Sequence, residues 1–247
     1  MIVLTVVELL PTFPTQMLRN DVQSQSADGS ESWGFMPQAE TPGATRVGYR
    51  APVVYWTRVK RTSEGYFFDG GQPTWGTREQ DEVRIMKLYL PLDFTQLPLI
   101  ALGVKKRKDL ENALLRYIEA NTPEAPSQAM FRLANYDLSK LAASYPTERW
   151  SWEFAMHSDP IRKGKFFGTN IETSSLFGFV QSGSSPNEVG LMLDAQGATL
   201  KVRILRLGRV QFTQFTDGHL IAGNHPDMGD PWPRIVQILQ TLQAHRG

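Results

Sequence analysis

The sequence predicts an α+β fold with two mostly antiparallel β regions, a central helical pair and a C-terminal helix. Apolar residues alternate strictly with basic ones at 200–204, which is the period of a half-buried strand. Leucines at helical spacing from residue 110 onward predict helices in the middle of the chain. Asp230, followed by Pro231 and Pro233, indicates the start of a last helix whose apolar residues recur every three or four positions.

The first part of the chain predicts strands separated by one long loop. Residues 2–7 are mostly β-branched and indicate a buried strand. Residues 20–45 have no periodicity and many Ser, Gly and Pro residues, so they are predicted to be a long surface loop or partly disordered. Further strands are predicted at 53–59, 66–68 and 83–92, with a Gly-Gly turn at 69–71.

The bounds of the central helices are predicted from N-cap residues and from the prolines that follow them. Asp109 is placed to cap the first helix, and Ser127 is placed to cap a second one that ends before Pro146. A strand is then predicted at 150–154, with Trp150 and Trp152 on the same face.

The C-terminal part predicts a loop, a meander and a helix. Residues 164–190 are rich in Gly, Ser and Asn and are predicted to be looped. Antiparallel strands are predicted at 189–193, 199–206 and 209–216, with Leu200, Val202, Ile204 and Phe212 buried. The last helix is predicted to be capped by Asp230 and to bury Ile235, Ile238, Leu239 and Leu242.

Length and composition are those of an ordinary globular protein. The 247 residues are predicted to form a single domain, 1–247, divisible at most into lobes at 1–145 and 147–247. The absence of Cys excludes a disulfide scaffold, a thiolate zinc site and a cysteine nucleophile. The apolar run at 2–10 contains Glu8, lacks a basic segment before it and has about half the length that crosses a bilayer. We therefore expect a cytoplasmic protein that does not bind membranes.

The common catalytic motifs are missing from the sequence, because it contains no P-loop, no Gly-x-Ser-x-Gly elbow and no His pair at i, i+4. One segment combines Asp217, His219, His225 and Asp227, which are suitable ligands for Zn²⁺ or Mn²⁺. Its Asp, Gly, Asn and Pro residues are also typical of turns. We predict that the segment is structural, with histidines too far apart or wrongly directed to share one ion, and we predict no catalytic residue, metal or cofactor.

The distribution of charge is more informative than the net charge of +1. Four tracts without any Asp or Glu, at 46–61, 101–108, 161–167 and 199–216, contain sixteen of the 26 basic residues. The predicted nucleic-acid-binding residues are Arg46, Arg50, Arg58, Lys60, Arg61, Lys105, Lys106, Arg107, Lys108, Arg162, Lys163, Lys165, Lys201, Arg203, Arg206 and Arg209. At least two of the tracts are expected to meet in one exposed cationic surface, since a single tract has too few charges to bind a polyanion at physiological salt.

These features predict a non-catalytic subunit of a larger assembly that contacts the phosphates of RNA or single-stranded DNA. Tract 46–61 also interleaves Tyr49, Tyr55 and Trp56 with its cations, a mixture that single-strand grooves use for base stacking. One alternative is a protein–protein adaptor with Arg-rich rims and no nucleic acid. The other is a metal-dependent hydrolase that uses the His219/His225 loop.

Overall fold

The computed structural model describes residues 1–14, 22–37, 47–121, 130–156, 163–168 and 171–246. In these residues twelve strands form one sheet: β1 (Ile2–Leu9), β2 (Val22–Gln25), β3 (Glu31–Pro37), β4 (Val53–Asp69), β5 (Gln72–Tyr89), β6 (Leu99–Leu102), β7 (Phe131–Leu133), β8 (Arg149–Met156), β9 (Lys163–Phe167), β10 (Ser184–Ala195), β11 (Ala198–Leu205) and β12 (Arg209–Phe212). Five α-helices accompany them: α1 (Arg107–Asn121), α2 (Leu138–Ser144), α3 (Ser175–Gly183), α4 (Asp217–Ala222) and α5 (Trp232–Gln243).

The first strand of the chain is the centre of the sheet. The strand order is β2-β3-β4-β5-β6-β1-β12-β11-β10-β8-β9, and every pairing is antiparallel. On one side β1 pairs with β6, and on its other side it pairs first with β12 and then with β7. The buried strand predicted at 2–7 is therefore confirmed, and its β-branched residues suit a position with neighbours on both edges.

Helices pack on both sides of the sheet, α1 on one side and α2, α3 and α5 on the other. Ile2, Leu4 and Val6 pack in one apolar cluster with α2, α3 and α5, whereas Val7 packs in a second cluster with α1. We call these two sides of the sheet the α5 face and the α1 face. The α1 cluster includes residues of β3 to β6 but none of β8 to β12 among the described residues, so the α1 face of those last strands has no helix packed on it.

The predicted α+β arrangement with a central helical pair is wrong, because the chain is mostly one large antiparallel sheet with few helices. Residues 131–133, assigned to the second central helix, instead hydrogen-bond to the free edge of β1 as β7, and only Leu138–Ser144 is helical. The Ser127 cap lies outside the described residues.

Two predicted loops are also corrected. The 20–45 segment contains β2 and β3, which pair with each other and place the apolar ring of Phe35 in the core. The 164–190 segment contains most of β9, all of α3 and the start of β10. In both cases pairing with a neighbouring strand supplies the stabilisation that the polar sequence does not indicate.

The C-terminal predictions are confirmed. β10, β11 and β12 are consecutive antiparallel strands, although β12 ends at Phe212. All four residues predicted to be buried there, Leu200, Val202, Ile204 and Phe212, are fully buried. The Asp230 carboxylate accepts a hydrogen bond from the Trp232 amide at the start of α5, and the four predicted apolar residues of that helix are buried.

β4 and β5 extend far beyond the rest of the sheet. The strands predicted at 53–59 and 66–68 are one strand, β4, which pairs with β5 without interruption from Val53 to Asp69. β3 pairs with β4 only up to Val59, so residues 60–81 form a two-stranded ribbon, which we call the arm and which no other described strand joins. Its ten residue pairs correspond to a length of about 30 Å. The two-residue turn at Gly70 and Gly71, both with positive φ, confirms the predicted turn.

None of the described helices has both the length and the apolar character required to cross a bilayer.

Candidate nucleic-acid interface

Trp150 lies at the centre of the uncovered α1 face. The register between β8 and β10 shifts at Leu191, and the Trp150 indole donates a hydrogen bond of 3.1 Å to the Leu191 carbonyl. The Arg203 guanidinium lies 4.8 Å from a ring centroid of Trp150, and the Lys201 Nζ lies 5.7 Å from it. Trp152 is buried on the α5 face, so the prediction that the two tryptophans share a face is wrong.

A buried carboxylate orients two of the predicted cations. Glu188 is 5 % exposed, and its Oε1 lies 2.5 Å from the Lys165 Nζ and 3.6 Å from the Arg203 Nε. The Ser151 hydroxyl donates a 3.3 Å hydrogen bond to the same oxygen. A buried charge requires such partners, and they fix Lys165 and Arg203 in place on the face.

Phe167 adds a second aromatic ring beside this cluster. Its side chain is 60 % exposed, and its ring centroid lies 5.2 Å from the Lys165 Nζ and 5.6 Å from the Arg203 guanidinium. Two rings with cations at their faces can stack against planar groups and attract an anionic backbone at the same time.

A groove of about 400 Å³ continues the face toward α1. Lys105 and Arg107 line it from the start of α1, and Arg206 and Arg209 line it from the β11–β12 turn. The groove also includes Glu153, which is paired with Lys165, so it adjoins the Trp150 cluster. At the start of α1 the positive end of the helix dipole adds to these cations, and Asp109 in the first turn together with Glu111, which pairs with Arg107, offsets part of that charge.

The β11–β12 turn is held close to the centre of the sheet by its glycine. Gly208 has φ +71°, and a Cβ there would lie 2.6 Å from the Val6 carbonyl oxygen and 2.8 Å from that of Ala134. Backbone atoms cannot move aside cheaply, so only glycine permits this approach. The turn thereby places Arg206 and Arg209 beside the groove.

Three of the four predicted tracts therefore contribute to one surface, which we call the cationic face. It surrounds Trp150 and Phe167 and consists of Lys105, Arg107, Lys163, Lys165, Lys201, Arg203, Arg206 and Arg209. Within the described ranges, no salt bridge involves Lys105, Lys163, Lys201, Arg206 or Arg209. Arg107 pairs with Glu111 at 2.6 Å.

Tract 46–61 lies elsewhere. Arg58 and Lys60 alternate with Tyr55, which packs against α1, so both are on the α5 face, and β4 is separated from β11 by four strands. The Arg58 guanidinium lies 2.5 Å from the Asp81 carboxylate and holds the pKa of that carboxyl below its usual range. Arg61 likewise pairs with Glu82 at 2.5 Å.

The aromatic residues of that tract are not available for base stacking as predicted. Tyr49 and Tyr55 are buried in the core, and Trp56 is half-buried. Arg50 is also only partly exposed. The remaining predicted cations, Lys106 and Lys108, are exposed beside the groove residues in sequence, whereas Arg46 and Arg162 lie outside the described residues.

The sequence analysis missed the groups that organise the face. Glu188 and Phe167 fall in the segment predicted to be looped, whereas Ser151 lies in the strand predicted at 150–154. The strand pairing of β8 with β9 and β10 brings the three together. An indication was present in the sequence, since Lys165 and Phe167 alternate in the way that one face of a strand requires.

The histidine segment is part helix and part turn. Thr216 caps α4 through a reciprocal pair of hydrogen bonds with His219, and the His225 Nδ1 accepts the Asp227 amide hydrogen at 3.2 Å. The two imidazole centroids lie 4.5 Å apart with an interplanar angle of 77°, so of the two predicted obstacles to sharing an ion, distance does not apply and only the direction of the rings is left. Among the residues that the structure describes, no three His, Asp or Glu side chains are arranged to bind one metal ion.

No family model and no curated protein matches this chain.

Proposed function

We propose that the protein binds single-stranded nucleic acid on the cationic face, as a non-catalytic cytoplasmic subunit of a larger assembly. The observation that carries the proposal is the Trp150 ring with the Arg203 guanidinium 4.8 Å from its centroid, on a sheet face that none of the described helices covers. Stacking of a base on an aromatic residue stabilises binding by about 1–3 kcal/mol and tolerates any sequence. A duplex keeps its bases stacked on one another, so this arrangement favours a single strand.

Electrostatics support the same partner. Lys201 and Arg209, which have no salt bridge among the described residues, lie on adjacent strands, and the groove lined by Lys105 extends the positive charge toward the start of α1. Each phosphate that a cation neutralises releases counterions. The logarithm of the association constant should therefore fall linearly with the logarithm of salt concentration, with a slope of about 0.7 per phosphate for single strands, which we call the salt slope.

The test is fluorescence anisotropy of labelled oligo(U) and oligo(dT), titrated with protein over a series of salt concentrations. Lys201→Glu combined with Arg209→Glu should weaken binding at least tenfold and reduce the salt slope by about 1.4, the contribution of two phosphates. Both side chains are exposed, so the fold should be unaffected.

The matched control combines Lys140→Glu with Gln96→Glu and Gln240→Glu, which makes the same change in net charge. All three side chains are exposed and away from the cationic face, and Lys140 has no salt bridge within the described portion of the chain. An equal loss of affinity in the control would mean that the change in net charge alone explains the weaker binding, and it would overturn the assignment of the face. Absence of binding by the wild-type protein at low salt would overturn the function itself.

A further inference from the structure

The arm exposes a large aromatic surface. Tyr66, Phe68 and Trp75 are 72 %, 77 % and 62 % exposed, and the Tyr66 and Trp75 rings contact each other edge to face at 5.0 Å. An isolated two-stranded ribbon is only marginally stable in water, because it has no core to bury its apolar side chains. Exposed aromatic clusters of this kind mark sites of interaction.

The aromatic side of the arm is also acidic. The cross-strand pairs Glu64–Thr77, Tyr66–Trp75 and Thr62–Glu79 alternate along the ribbon, so Glu64 and Glu79 lie on the same side as the three exposed rings. Lys60 and Asp81 offset each other at the base of that side, and no residue between 62 and 79 on it is basic. In the described chain neither glutamate takes part in a salt bridge. A partner for this side must therefore be cationic and able to pack against aromatic rings.

The cationic face has this complementary chemistry. It combines unpaired Lys201 and Arg209 with the partly exposed rings of Trp150 and Phe167. The exposed rings of the arm lie far from Lys201 and Arg209 of their own chain. β4 and β11 are about 24 Å apart in the sheet, and the arm continues away from the sheet along the strand direction.

We propose that the arm of one protomer docks on the cationic face of a second copy, and that reciprocal exchange of arms builds a symmetric dimer. A two-fold axis allows each copy to supply one arm and one face, which closes the assembly at two chains. This inference goes beyond the proposed function and does not depend on it.

A charge-exchange experiment tests the proposal by sedimentation velocity of the full chain, free of nucleic acid. One variant carries Glu64→Lys and Glu79→Lys in the arm, and the other carries Lys201→Glu and Arg209→Glu in the face. Each variant alone brings like charges together and should sediment as a monomer. In an equimolar mixture both arm–face contacts join opposite charges, so the mixture should regain the wild-type dimer.

A shortened arm provides the second measurement. Deleting residues 63–68 and 73–78 keeps the 69–72 turn and places it directly after the Thr62–Glu79 pair. An even number of residues is removed from each strand, so the remaining strands keep both their register and the alternation of hydrogen-bonded pairs. This variant should be monomeric and should retain the wild-type near-ultraviolet circular dichroism signal of its buried tryptophans. A wild-type chain that is monomeric at ~100 µM, far above the Kd of a specific dimer, would overturn the proposal. So would a dimer that persists in either charge variant alone or in the shortened arm.

Discussion

At the scale of single residues, substitution of Trp150 distinguishes the contribution of base stacking to the affinity from the contribution of charge. Trp150→Ala should weaken oligonucleotide binding by roughly 1–3 kcal/mol, or about 5- to 150-fold, because the base loses its aromatic partner. The salt slope should stay unchanged, since no phosphate contact is removed. Trp150→Phe should retain most of the affinity, because it keeps an aromatic ring. Anisotropy titrations measure both quantities, and a fall in the salt slope of the alanine variant would contradict the stacking role.

Protonation of Asp28 should destabilise the β2–β3 turn, but only at an unusually low pH. Its Oδ1 accepts hydrogen bonds from the Ser26 hydroxyl at 2.6 Å and from the amide and hydroxyl of Ser30 at 3.0 and 2.8 Å. The Ser26 hydrogen bond contributes most to lowering the pKa of Asp28 to about 2. A lowered pKa stabilises the folded turn above the ordinary aspartate pKa, and the stabilisation is lost as pH falls through the folded value.

We therefore expect the β2–β3 amides to stay protected from hydrogen exchange near pH 4 and to lose protection as pH approaches 2. Exchange rates followed by NMR measure this directly. In the Asp28→Asn variant the protection should not change over that interval, because the titrating group is gone. Loss of protection in both proteins at the same pH would assign the effect to another group.

At the scale of secondary-structure elements, α5 is predicted to be the main stabilising helix. The Trp232 ring is fully buried against Tyr49 and Tyr89, with centroids 5.7 and 4.8 Å away, and its indole donates to the Leu220 carbonyl at 3.0 Å. Trp232→Ala should lower the free energy of unfolding by about 3–5 kcal/mol in urea denaturation. Trp75→Ala removes an equally large but exposed ring and should change the free energy of unfolding little.

Elements with a strong local pattern could be predicted from the sequence, and elements made by distant pairing could not. The meander at 189–212 alternates apolar and polar residues, and α5 has its own cap and apolar face, so both were located correctly. β2 is mostly exposed at the edge of the sheet, and β7 is only three residues long. Their strand conformation depends on hydrogen bonds to β3 and β1, which no local pattern encodes.

The candidate site was predictable in composition but not in geometry. The basic tracts are visible in the sequence, yet only the strand order shows that Lys105, Lys165 and Arg203 share a face and that Arg58 lies on the opposite one. The partner of each cation could not be predicted either. Asp81 follows Arg58 by more than twenty residues and contacts it only because the arm folds back on itself.

At the scale of the whole molecule, the two proposed partners of the cationic face exclude each other. If the arm of a second copy occupies the face, the shortened-arm variant should bind oligo(U) more tightly than the wild-type protein, because no dimer must open first. The gain should grow as the wild-type concentration rises, and anisotropy at several protein concentrations measures it. Equal affinities at every concentration would show that arm and nucleic acid do not compete.

The position of β1 between β6 and β12 constrains how the chain is synthesised and folds. Ile2 pairs with Phe212, so the strand at the middle of the sheet leaves the ribosome 210 residues before the partner strand that covers its edge. Closing so long a loop is entropically costly, and folds dominated by such contacts form slowly. Until β12 appears, a β-branched strand with an open edge is available to other nascent chains. Yield in the cell should therefore depend on how well chaperones shield residues 2–9 during translation.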